Sequence, residues 1–107
     1  MEELNELNAI LDKLTNAIKL MAKYGTEHAE KEREYKIILN QVAMKLRNEG
    51  LAVTLIDKTV YGEKEVADKR FERDVAKVMY DTSKENINVL KIKARILDNQ
   101  INKEYNN

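Results

Sequence analysis

The chain has no cysteine, no proline and no tryptophan, and only one phenylalanine and three glycines among its 107 residues. Each absence excludes something. Without cysteine there are no disulfides, no thiol nucleophile and no thiolate metal site. Without proline nothing forces a helix to break, since proline is the residue that removes a backbone donor and clashes with the preceding turn. Three isolated glycines, Gly25, Gly50 and Gly62, cannot build a glycine-rich phosphate loop. No apolar run approaches the roughly 20 residues that cross a bilayer, so no membrane partner is expected. The acidic start (Glu2, Glu3, Glu6) lacks the basic and then apolar pattern of a secretory signal. These features together suggest a cytoplasmic protein.

Charge of one sign is also missing. Lys plus Arg and Asp plus Glu are 19 each, so the formal net charge is zero. No basic excess neutralises phosphates, and no acidic excess mimics them. Charged residues nevertheless make up 36% of the chain and hydrophobic ones 43%, a balance that suits long amphipathic helices.

What is present is a repeat. Leu4, Leu7, Leu11, Leu14, Ile18, Met21, Gly25, His28, Glu32, Tyr35, Leu39, Val42 and Leu46 follow one another in alternating steps of three and four. This is the period of a helix that lays one seam along a partner helix. A second row, Ile10, Ala17 and Tyr24, flanks its first half. The phase is unchanged across Gly25, so the pattern predicts one helix over residues 2–48, with a break at Gly25-Thr26 as the alternative. Glu27 with Lys31 and Glu32 with Lys36 have the acid-before-base spacing that supports a helix by about 0.2–0.5 kcal/mol each. Arg47 and Gly50 are the natural end.

Thr54 followed by Asp57 suggests a capped short helix over 54–61, ended by Gly62. A second long helix is expected over 63–105, with Glu63 and Glu65 on its first turn. It carries two apolar stripes. One runs Phe71, Val75, Val78, Thr82, Val89, Ile92, Ile96, with Glu85 as its gap. The other runs Ala76, Tyr80, Ser83, Ile87, Leu90, Ala94, Leu97, Ile101, Tyr105. Two stripes make a face that touches two helices. The expected architecture is therefore all-α: one domain, a long antiparallel helical hairpin with a short helix at its tip, completed as a homodimeric four-helix bundle.

Chemistry is sparse. His28 and Glu32 share a helical face and would supply two metal ligands, which do not make a site; with Gly25 they interrupt the seam and suit a register or bend role. Arg70, Arg73 and Lys77 lie at helical spacing and offer a small basic face, interspersed with Asp74 and Asp81. The abundant carboxylates face water, with nothing to desolvate them into acid–base catalysts. No catalytic residue, metal or cofactor is expected. Leu51, Val53, Leu55 and Ile56, crowded beside a turn, either close the end of the core or present an apolar knob; with Arg70, Phe71, Arg73 and Tyr80 they form the candidate interface.

Four runs carry a resemblance: Gly50-Leu-Ala-Val-Thr-Leu-Ile-Asp-Lys58, Gly62-Glu-Lys-Glu-Val-Ala67, Phe71-Glu-Arg-Asp-Val-Ala-Lys-Val-Met-Tyr80 and Ile87-Asn-Val-Leu-Lys91. They resemble small helical proteins from the early regions of temperate phages and prophages of Gram-positive bacteria. The resemblance covers most of residues 30–105 and transfers no catalytic residue. It implies a phage accessory protein that acts by contact with a host or phage protein: a nuclease, a recombination protein or a defence complex, inhibition of a defence nuclease in the anti-CRISPR manner included. A dimeric nucleic-acid-binding protein and a structural coiled-coil or virion component are the alternatives. Small secreted helical hairpins share the length, but their Trp-x-Gly turn is missing here.

Overall fold

The computed structural model describes residues 2–106. Helix α1 spans Glu2–Asn48, α2 spans Val53–Thr59 and runs into a 3₁₀ turn at Val60–Gly62, and α3 spans Lys64–Asn106; among the described residues there is no strand. The fold is the expected all-α helical hairpin. Helix α1 passes through Gly25 and Thr26 without a break. One glycine costs a helix only about 1 kcal/mol relative to alanine, which the surrounding helical ladder absorbs.

The end of α1 is built by Gly50. Its φ of +93° lies in the left-handed region that side chains resist. The Gly50 N–H donates to the Arg47 carbonyl at 3.0 Å and the Leu51 N–H to the Leu46 carbonyl at 3.1 Å, the two bonds of a Schellman cap. Leu46 and Leu51 then pack on the same core, the hydrophobic contact that accompanies this cap.

The bounds of both later helices shift by one or two residues from expectation, at Val53–Thr59 and Lys64–Asn106. The short helix begins at Val53, one residue early, and its N-cap is Ala52, which makes no side-chain capping bond. Thr54 is therefore inside the helix and caps nothing. The helix is held instead by burial of Ile56, with Val60 following in the 3₁₀ turn. The second long helix begins at Lys64 and not at Glu63; Glu63 has extended backbone and its carbonyl accepts the Ala67 N–H at 2.9 Å.

The helices build two compact units. The first takes α1 up to Tyr24 and α3 from Tyr80. Its core is Ala17, Ile87 and Leu90, with Ile10, Leu14 and Met21 packed around them. The buried row of α1 is thus Leu7, Ile10, Leu14, Ala17, Met21. Leu4, Leu11 and Ile18, read as seam positions, are more than 40% exposed, and the row read as a flank takes their place. The physical reason is size: Ala17 lets α3 approach closely at a point where a Leu or Ile would hold it off.

The second unit covers residues 25–79. Its core is Tyr35, Val42, Ile56, Val60 and Val66, with Ile38, Leu39, Ala43, Leu46 and Leu51 packed against it. Among the described residues Val66 is the one large side chain with no exposure at all. On α3 the division between stripes is plain in both units. Ala76, Tyr80, Ser83, Ile87, Leu90, Ala94, Leu97 and Ile101 are buried or half-buried, whereas Phe71, Val75, Val78, Val89, Ile92 and Ile96 are exposed. Buried Ser83 satisfies its hydroxyl by donating to the Tyr80 carbonyl at 2.7 Å.

Val66→Ala should cost about 2 kcal/mol in chemical denaturation, the loss of two buried methyl groups plus the space they leave. Val53→Ala, at a 64% exposed position, should be close to neutral.

Candidate interaction surface and its charge network

The second unit holds every residue singled out in the sequence except Tyr80, and it separates them. Of the four apolar residues of the connector, Ile56 is buried and Leu51 is half-buried against the same core, so neither is offered to a partner. Val53 and Leu55 are exposed. Tyr61, in the 3₁₀ turn, is exposed as well, and the Arg70 guanidinium lies 5.8 Å from its ring centre. The sequence reading passed over Tyr61. Its position one residue before a helix-stopping glycine was the available signal, since a residue there has few neighbours to cover it.

Phe71, at 68%, is the most exposed large apolar residue of α3. With Val75 and Met79 it borders a groove of about 320 Å³ whose other wall is Glu27 and Lys31 of α1. Tyr80 belongs to the other unit. It is half-buried, with the Lys84 ammonium 4.3 Å from its ring centre.

Arg70 and Arg73 do not behave alike. Arg73 is folded back onto α1. Its guanidinium lies 4.5 Å from the ring centre of buried Tyr35, its Nε is 3.6 Å from Glu32, and its Nη2 donates to Asp74 Oδ1 at 2.9 Å. A cation engaged with two carboxylates and a ring has little left for an external phosphate. The basic face suggested by Arg70, Arg73 and Lys77 is thus not a row of equivalent cations.

The seam break resolves in the same network. Glu32 pairs with Lys36 at 3.6 Å, as its spacing implied, and with Arg73 across the helices. The expected Glu27–Lys31 pair does not form. Lys31 turns to Glu34 at 3.3 Å and reaches Glu72 at 3.9 Å; Lys69 completes a ring with Glu72 at 3.3 Å and Glu34 at 3.6 Å. A lysine that can touch one acid on its own helix and another on the facing helix gains more than one limited to its own helix. His28 is half-buried within α1, and Gly25 is an ordinary helical residue. Among the described residues no three His, Cys, Asp or Glu are grouped to hold a metal ion, and no helix is long and apolar enough to cross a membrane.

Comparison with known protein families, with curated proteins and with solved structures finds no match to the chain.

The ring has a pH signature. The Lys31 hydrogen bond, foremost, and the charges of Lys31 and Lys69 hold the Glu34 carboxyl below the usual carboxylate range. Glu34 then adds stability above the range where an unfolded glutamate titrates, and that contribution is lost as pH falls through its lowered folded value. Lys69 is shifted up, by its hydrogen bond to Glu72 first, so its contribution is present below the ordinary lysine value and is lost as pH rises through the raised one. Urea melts between about pH 3 and 7 should show stability falling on acidification, and Glu34→Gln should flatten that limb. An unchanged slope in the variant would mean that the ring contributes nothing.

Proposed function

We propose that the protein is a non-enzymatic interaction protein that binds another protein through the α2 connector of its second unit. The observation that supports this best is the make-up of the connector surface. Val53, Leu55 and Tyr61 are exposed on a segment anchored from beneath by Ile56 and Val60, and Arg70 lies over Tyr61. Tyr and Arg beside aliphatic side chains are the residues that dominate binding energy at protein interfaces. A short helix pinned by buried residues presents them without a large ordering cost. Within the accessory class that the sequence resembles, the partner is a nuclease, a recombination protein or a defence complex of a bacterial host, met in its cytoplasm.

The test uses a tagged chain as bait in an extract of a Gram-positive host. Val53→Glu combined with Leu55→Glu should abolish capture while helicity and Tm stay within about 3 °C of the parent, because both sites are exposed. Capture undiminished by the double variant, or no specific capture by the parent chain, would count against the connector as the binding surface.

A further inference from the structure

The exposed stripe of α3 reads the same from both ends. Phe71, Val75, Val78, Thr82, Glu85, Val89, Ile92 and Ile96 are separated by steps of four, three, four, three, four, three and four. Turned end for end against itself, the stripe sets Phe71 opposite Ile96, Val75 opposite Ile92, Val78 opposite Val89 and Thr82 opposite Glu85. All six apolar members are exposed, from 40% at Val89 to 68% at Phe71. They lie on one uninterrupted helix, Lys64–Asn106.

The flanking charges make the same match. In an antiparallel pair of helices each flank of the seam meets the identical flank of the other copy. One flank here is Glu72, Met79, Asn86, Lys93; the other is Asp74, Asp81, Asn88, Arg95. The acids stand at the first end of both flanks and the bases at the last. Reversal brings Glu72 to Lys93 and Asp74 to Arg95, each twice by symmetry. The groups are available for it. Lys93 and Arg95 make no ion pair among the described residues. Glu72 and Asp74 make their ion pairs within the chain through one oxygen each, Oε2 and Oδ1.

We propose that the exposed stripe of α3 is an antiparallel homodimer seam, in which Phe71, Val75 and Val78 of one copy pack on Ile96, Ile92 and Val89 of a second. Two Glu72–Lys93 and two Asp74–Arg95 ion pairs border it. The polar pair Thr82 and Glu85 falls at the twofold axis, where each threonine hydroxyl donates to the carboxylate of the other copy. A single polar layer of this kind fixes register at some cost in affinity, because any slipped register buries the carboxylate against an apolar residue. Parallel pairing forfeits the ion pairs, since it brings acid ends together and base ends together. The seam uses none of Val53, Leu55, Tyr61 and Arg70, so it is tested separately from the function proposed above.

Sedimentation over a range of micromolar concentrations tests it, with circular dichroism confirming the helices in every variant. The 12.5 kDa chain should run as a dimer. Val78→Asp, at an exposed site, should raise the dimer Kd at least tenfold. Asp74→Arg should weaken the dimer and so should Arg95→Asp, and the two combined in one chain should restore it. Because the chain has no cysteine of its own, Val78→Cys mixed with Val89→Cys should cross-link on oxidation, whereas Val78→Cys alone should not. A monomer at tens of micromolar, a dimer indifferent to Val78→Asp, absence of charge-reversal rescue, or self-cross-linking of Val78→Cys would each overturn the proposal. Failure of the connector variants to lose capture would leave these readouts unaffected.

Discussion

A helix buries one stripe against one neighbour, and α3 carries two. Most of what is distinctive here follows from that constraint. The stripe containing Ala76, Ser83, Ile87 and Leu90 has small residues among large ones and faces α1. The stripe containing Phe71, Val75, Val78 and Ile92 stays in water. Apolar area is worth about 25 cal/mol per Å² on burial, so six exposed branched or aromatic side chains represent several kcal/mol available to whatever covers them. The core already formed is thin: among the described residues the largest wholly buried side chain is a valine. Covering that stripe would therefore add substantially to a stability that the thin core alone supplies.

Charge is arranged on the opposite principle, with neutralisation kept local. The second unit ties Lys31, Glu34, Lys69 and Glu72 into a ring and folds Arg73 onto Tyr35, Glu32 and Asp74. Each of these bonds is partly exposed and individually weak. Their joint effect is to pair the groups that a phosphate backbone would need, while apolar side chains and Arg70 remain at the connector surface. In this unit compensation is thus short-range, between charges on the same or the facing helix.

Much of the fold was legible in periodicity. The bounds of α1 follow from an unbroken repeat between an acidic start and Gly50, and both stripes of α3 were visible as steps of three and four. Which flank of α1 would be buried was not visible. The row through Leu4, Leu11 and Ile18 and the row through Ile10, Ala17 and Tyr24 are equally periodic, and the choice depends on how closely α3 approaches, a property of the facing helix. The Thr54 cap failed for a similar reason: local capping chemistry is worth about 1 kcal/mol, and placing Ile56 and Val60 in the core outweighs it. Of the candidate surface, Val53, Leu55 and Phe71 were found from sequence and are exposed. Ile56 and Arg73 were not separable from them, since burial of one connector residue and a cross-helix bond depend on neighbours far away in the chain.

The Schellman turn at Gly50 also orders events in time. The contacts of the second unit join residues brought together by the short connector, with the Leu51 N–H bonded to the Leu46 carbonyl across the cap itself. In the first unit Ala17 meets Ile87, about 70 residues further along. Closing that distance unaided is slow, because the entropy of a long loop must be lost before any contact forms. With the turn closed first, each added pair of facing residues extends an existing hairpin by one small step. Contact order thus favours closing residues 46–66 before the first unit's halves meet.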